Sequence, residues 1–194
     1  MSLRAEVPGR ELVDQLMEVA RSPWDPSSLD ALWRRLGWAW SSEFDGYAAA
    51  PRFVVRPADP DLTDGDPGGA FFLDFCVFMT DEDDPEGDQL ADDWDGPAWP
   101  LTREAQRDRF DAACLDAIQV VTAILGEPEL TGRDDDPDYP WLHALWPVDA
   151  GERLMVVLQR DDIDVELGTI WIRDTPAEDA RPAPGEPCVD WLYR

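Results

Sequence analysis

The sequence predicts an α+β fold: a mainly antiparallel sheet packed against one long helix (102–125), with two N-terminal helices. Three observations carry that expectation. In residues 102–125 (TREAQRDRFDAACLDAIQVVTAIL), Phe110, Cys114, Ala117, Ile118, Val121, Ile124 and Leu125 recur at three- and four-residue steps, the period of an amphipathic helix. The segments 141–146 (WLHALW), 153–160 (RLMVVLQR) and 164–173 (DVELGTIWIR) then follow one another across the short turns Asp149-Ala150-Gly151 and Asp161-Asp162, the pattern of an antiparallel meander. Finally, no βα unit repeats and no glycine-rich phosphate loop occurs, which argues against a doubly wound nucleotide-binding fold.

Taken in order, residues 10–21 place Leu12, Val13, Leu16, Met17, Val19 and Ala20 on one helical stripe, and Ser22-Pro23 ends it. A second helix is expected from Ser28 to Leu36, capped by Ser27 or Ser28, with Gly37 as its left-handed stop. Trp38-Ala39-Trp40 and residues 52–56 (RFVVR) read as short strands, and 57–69 as a loop dense in Pro and Gly. Residues 70–79 (AFFLDFCVFM) are apolar on both faces apart from Asp74, which places them centrally in the sheet. For the long helix, Thr102 is the expected N-cap and Gly126 the residue that ends it. The tail, APGEPCVDWLYR, is expected to add an edge strand or to pack Trp191 and Leu192 on the sheet. A length of 194 residues points to a single domain, 1–194, with an acidic loop insertion at about 80–100.

Charge narrows the function classes. Sixteen basic residues face 43 acidic ones, a formal net charge of −27. Such a field repels polyanions, so neither nucleic acid nor an anionic membrane is an expected partner. All the basic residues are Arg and Lys is absent, which excludes Schiff-base or P-loop lysine chemistry. Apolar content of 44% is enough for a packed core, unlike a disordered acidic tail. Cys76, Cys114 and Cys188 are odd in number and dispersed, as reduced thiols are, and the N-terminus lacks the apolar block of a signal peptide. A cytoplasmic location is expected.

The acid is unevenly spread: from 57 to 102, a 46-residue stretch, the chain carries 14 acids and no base. A solvated, solubilising loop is the plain reading of that run. The functional reading is an electronegative surface that attracts a basic protein. Its expected partner contacts are Asp81, Glu82, Asp83, Asp84, Asp92, Asp93 and Asp95, with Trp94 and Trp99 as apolar anchors among the carboxylates. The alternative for the two tryptophans is that they tuck back onto the sheet and pin the loop.

Other chemistry finds weaker support. Asp93-Trp94-Asp95-Gly96 matches part of a calcium loop, but Ala91 and Thr102 stand where its first and last ligands belong. The Asp134-Asp135-Asp136 cluster offers no defined cage, so no metal or other cofactor is expected. His143, the single histidine, lacks an assignable nucleophile and orienting acid and reads as a partly buried structural residue. Cys76 and Cys114 read as packing residues and Cys188 as the more exposed thiol. Trp33, Trp38, Trp40, Trp146 and Trp171 read as core. No catalytic residue is assigned.

Residues 102–173 contain a helix ending in Leu-Gly-Glu-Pro (125–128), a turn, a Trp-bearing strand and two further amphipathic strands. This stretch resembles small acidic α+β proteins of GC-rich bacteria, some of them grouped with immunity proteins of polymorphic toxin systems. The resemblance implies a non-enzymatic binding protein, an immunity protein or antitoxin that caps a basic partner such as a toxin. The helix–strands–helix–strands order also looks like the secretion-chaperone fold, which implies a homodimer that binds apolar segments. A hydrolase using the Asp clusters with a metal is the third expectation.

Overall fold

The computed structural model describes residues 1–50, 52–58, 69–80, 89–92, 96–134, 140–162, 165–175, 188 and 191. Among them the chain runs β1 (Ser2–Ala5), α1 (Arg10–Arg21), α2 (Pro26–Leu36), β2 (Ala39–Ser41), β3 (Gly46–Ala50), β4 (Phe53–Pro57) and β5 (Ala70–Met79). It continues with a short α3 (Gln89–Asp92), β6 (Leu101–Arg103), α4 (Arg107–Leu125), β7 (Leu130–Arg133), β8 (Leu142–Val148), β9 (Arg153–Asp162) and β10 (Val165–Asp174). The fold is α+β, built on one large antiparallel sheet in the order β2-β3-β4-β5-β10-β9-β8-β7. Strand β1 pairs with the far half of β5, from Ser2↔Met79 to Ala5↔Cys76, while β4 pairs with the near half at Phe72 and Phe71. Strand β6 adds on beyond β1.

The meander β8-β9-β10 follows the alternation in the sequence, and its central members β9 and β10 pair over their full lengths. The three longer helices share one sheet face. Helix α1 buries Leu12, Val13, Leu16, Met17, Val19 and Ala20, and α4 buries Phe110, Ala113, Cys114, Ala117 and Val121, in one core with Leu73, Phe75, Phe78 and Val157 of the sheet. Each fully buried Val, Leu, Met or Phe side chain among them contributes about 1.5–3 kcal/mol.

Strand β5 faces both ways because it carries a β-bulge. Its register with β10 shifts between Gly168 and Thr169, whose partners are Cys76 and Asp74, so Phe75 is the extra residue. Phe75 and Cys76 therefore both enter the helix-side core, while Val77 and Met79 join a separate cluster with Leu90, Trp99 and Leu167 on the opposite, outer face. A Cβ at Gly168 would lie 2.4 Å from Cys76 Sγ and 2.9 Å from Phe75 Cε2, so only glycine fits against the bulge. A further outer-face cluster joins Leu145, Leu154, Val156, Leu158 and Trp171 to Cys188 and Trp191 of the tail.

Several local expectations need correcting. The long helix starts at Arg107, after Gln106 as N-cap, and not at 102. Thr102 instead lies in β6 opposite Leu3, because the short strand β1 supplies a free edge. Helix α2 begins at Pro26, and Asp25 caps it by accepting from the Ser27 and Ser28 N–H groups at 3.1 Å. Proline suits that first position because its missing donor is not needed there. Gly37 is the left-handed stop, at φ +73°. Trp40 is half exposed on the edge strand β2, stacked edge-on against Tyr47, whereas Trp33, Trp38, Trp146 and Trp171 are buried. Cys188 is buried too, 1% exposed, in the outer-face cluster with Leu158, Trp171 and Trp191.

Candidate functional site

Most of the expected partner contacts, Asp81, Glu82, Asp83, Asp84, Asp93, Trp94 and Asp95, lie outside the described residues. Asp92 ends helix α3. Trp99 is not an exposed anchor. It is 3% exposed, its indole packs with Leu90, Val77 and Leu167, and its Nε1–H donates to the Arg52 carbonyl at 2.6 Å. The reason lies in β1: the Arg4 guanidinium donates to the Trp99 carbonyl at 2.8 Å and to the Leu90 carbonyl, stitching the chain around both residues to the sheet.

The outer face holds a polar strip between its two apolar clusters. Asp74, the one charged residue of β5, points away from the helices and accepts from Arg56 Nη1 through Oδ2 at 2.7 Å. Arg56 is held in addition by its Nε–H, which donates to the Phe44 carbonyl at 3.0 Å, and its Cζ lies 6.0 Å from the Phe72 ring centre. On the next strand but one, Arg160 pairs with Asp162 at 2.9 Å. Burial pushes the Asp74 carboxyl above its ordinary value, and the neighbouring Arg56 and Arg160 charges pull against that rise. Asp74 Oδ1 and Arg160 Nε are both buried without a hydrogen-bond partner among the described residues.

Beside this strip opens a pocket of about 390 Å³. Its walls are apolar: Val54 from β4, Val77 from β5, Val165 and Leu167 from β10, Pro97 and Trp99 from the segment that leads into β6. Glu43, Phe44 and Asp45 of the β2–β3 turn line it as well, with Asp45 in a left-handed conformation at φ +51°. Three carboxylates (Glu43, Asp45, Asp74) thus face one guanidinium, Arg56, which is already paired. The volume falls within the range of about 300–1,000 Å³ typical of small-ligand sites. In the sequence, the visible signal was Asp74, a lone charge in an apolar strand. Glu43, Asp45 and Arg56 carry no such signal, because only the folded β2–β3 turn and the pairing of β4 with β5 bring them beside Asp74.

A second polar cluster straps α4 to the sheet on the helix side. Arg107 Nη1 lies 2.6 Å from Glu166, and Asp111 is met by Arg133 at 2.8 Å and by the Gln159 amide at 3.0 Å. Gln159 in turn accepts the Leu142 N–H at 2.9 Å. Burial raises the Glu166 carboxyl despite Arg107. For Asp111, burial is outweighed by Gln159, Arg133 and Arg107, and its carboxyl is lowered. Two cations and two anions pair off here, which suits a structural strap.

His143 is 9% exposed, with Nδ1 3.0 Å from Asp134 Oδ1, and the same oxygen accepts the Cys188 N–H at 3.3 Å. Asp134 thus links the Cys188 backbone to the His143 ring on β8. Burial raises the Cys76 thiol strongly and pushes Cys114 up to about 12, the opposite of what a reactive thiolate requires. Among the described residues, no helix is long and apolar enough to cross a membrane. No family model, curated protein or solved structure matches the chain.

Proposed function

We propose that the protein is a non-enzymatic binding module, of the immunity or antitoxin kind, that captures a basic protein through its acidic outer face. The observation that carries this reading is the pocket, whose three carboxylates face a single, already paired guanidinium. The segment forming one of its walls, Gly96 to Trp99, belongs to the stretch from 57 to 102 that has no basic residue. With a net charge of −27, long-range attraction accelerates encounter with a cationic partner, and apolar contacts slow its release. Asp81, Glu82, Asp83, Asp84, Asp92, Asp93 and Asp95 remain proposed partner contacts with Trp94, while Trp99 serves the surface by holding the pocket wall in place.

The test is affinity capture from a native lysate, comparing the full chain with a variant in which Asp81, Glu82, Asp83, Asp84, Asp92, Asp93 and Asp95 are changed to Asn or Gln, which leaves the buried Leu90 and Trp99 in place. The expected result is one basic protein retained by the full chain and lost or weakened in the variant. Its association rate should fall steeply as ionic strength rises from about 0.05 to about 0.5 M. Equal capture by both chains, or a rate indifferent to salt, rejects the reading.

Trp40, half exposed on the edge strand β2, favours a second reading, a chaperone or adaptor that binds apolar segments as a homodimer. Salt-insensitive binding of an apolar peptide, lost in Trp40→Ser, would select it.

A further inference from the structure

The outer-face pocket has a more specific chemistry than general negative charge, set by its shape. Its walls, including Val54, Val77, Pro97 and Leu167, are apolar over most of their extent, so a hydrated metal ion or a compact ammonium would leave them uncovered. What fits is a side chain with an apolar stem and a cationic head. The acceptors are spread over two elements, Glu43 and Asp45 on the β2–β3 turn and Asp74 on β5. A planar guanidinium, with five donors in a fixed fork, can address several carboxylates at once and is less strongly hydrated than an ammonium. Arg56 leaves charge for such a guest, because its Nη1 and Nε are turned to Asp74 Oδ2 and the Phe44 carbonyl and the three lining carboxylates outnumber it.

We infer that this pocket seats one arginine side chain of the basic partner, an inference that rests on the binding function proposed above. The stem lies along Val54, Val77 and Leu167, and the guanidinium lies among Asp74, Glu43 and Asp45. The partner is thus a protein that projects an arginine from its surface, and the pocket confers register on an encounter that charge alone would leave loosely oriented.

The probe is n-butylguanidinium, with n-butylurea as its neutral counterpart of the same shape, titrated into the full chain and followed by amide chemical shifts. Saturable shifts gathered at Phe44, Val54, Val77 and Leu167 are expected for the cation and absent for the urea. In Glu43→Gln/Asp45→Asn the cation should bind about tenfold or more weakly, the effect of losing charge-assisted hydrogen bonds. Both substitutions are conservative, and Asn tolerates the left-handed conformation at position 45. Asp74→Asn should weaken binding similarly. If Asp74→Asn does not fold, the turn variant alone decides.

Diffuse shifts across many acidic residues, equal binding of the urea, or unchanged affinity in the turn variant each overturn the inference. Failure here is separable from failure of the binding function. A partner captured equally well by wild type and the turn variant removes the arginine seat and leaves the module. A wild-type chain that captures no basic partner removes the module, and with it the inference.

Discussion

Arg56 and Asp74 form the charged pair that crosses from β4 to β5 on the outer sheet face, with Nη1 and Oδ2 2.7 Å apart and the Asp74 side chain 12% exposed. The pair sits where β4 ends its pairing with β5 and β1 takes over. Asp74 is therefore the one place where the central strand of the sheet carries a charge, and Arg56 is what makes that tolerable. Arg56→Met should destabilise the fold by about 1.5–3 kcal/mol, since it removes a charge-assisted hydrogen bond and leaves a buried carboxylate. Adding Asp74→Leu should recover most of the loss, because a hydrophobic replacement of both partners carries no desolvation cost. Urea denaturation of the single and double variants checks both statements. A double variant no more stable than Arg56→Met would show that the pair is not what the single change disrupts.

Trp99 separates the structural from the interfacial use of tryptophan. It is enclosed by Val77, Met79, Leu90 and Leu167, with its indole N–H on the Arg52 carbonyl. Trp99→Ala should cost about 3–5 kcal/mol. Trp99→Phe should cost clearly less, losing the hydrogen bond and part of the volume. An interface anchor with no packing role would lower partner affinity in both variants without moving the denaturation midpoint.

How much of this was legible in the sequence depends on how local each signal was. The period-3.6 stripe from Phe110 to Val121 and the alternating strands after Trp141 are local patterns, and the structure keeps them. Strand β1 is only Ser2–Ala5, with Arg4 in its middle, and becomes a strand because β5 offers an unpaired edge. No window of sequence contains that edge, and so Thr102, which joins the same added layer through Leu3, reads as a helix cap. The site follows the same rule. Asp74 stands out within its own strand, whereas Glu43 and Asp45 acquire meaning only when the β2–β3 turn is folded beside it.

The bulge in β5 yields a steric prediction. Gly168 faces Cys76 Sγ at 2.4 Å and Phe75 Cε2 at 2.9 Å from where a Cβ would stand. Gly168→Ala should therefore destabilise by about 1–3 kcal/mol, as overpacking of a closed core does. Cys76→Ala in the same chain should restore part of that loss by vacating the sulfur's volume. Thermal or urea denaturation of the two single variants and the double variant measures the coupling. Strictly additive losses would mean that Gly168 is required for a reason other than Cys76.

Arg153 closes the C-terminal end of α1 from the sheet. Its Nη1 donates to the Ala20 and Ser22 carbonyls, both at 2.6 Å, its Nε pairs with Asp174 at 3.0 Å, and its Cζ lies 3.9 Å from the Trp24 ring centre. The last turn of a helix leaves carbonyls without partners, and a guanidinium satisfies them while opposing the helix dipole. Arg153→Lys keeps the charge and loses the fork and the stacking, so a loss of about 1.5–3 kcal/mol is expected. Amide exchange should rise in the last turn of α1 before it rises in α4. Uniform acceleration across both helices would place the effect in global unfolding instead.

The cap of α2 makes stability depend on pH in a defined window. Side-chain hydrogen bonds from Ser27 and Ser28 hold the Asp25 carboxyl at about 2, down from 3.8. A lowered carboxyl stabilises the folded chain above its unfolded value of 3.8, and that contribution disappears as pH falls from 3.8 through about 2. Asp25→Ala should therefore be less stable than wild type at neutral pH, with the gap closing across that window. Asp25→Asn keeps a capping oxygen that does not titrate, so its stability relative to Asp25→Ala should vary little with pH. Urea midpoints for the three proteins at neutral pH, at pH about 4 and at pH about 2 distinguish these outcomes. A gap between wild type and Asp25→Ala that stays constant down to pH 2 would show that the hydrogen bonds from Ser27 and Ser28 hold the protonated carboxyl as well as the charged one.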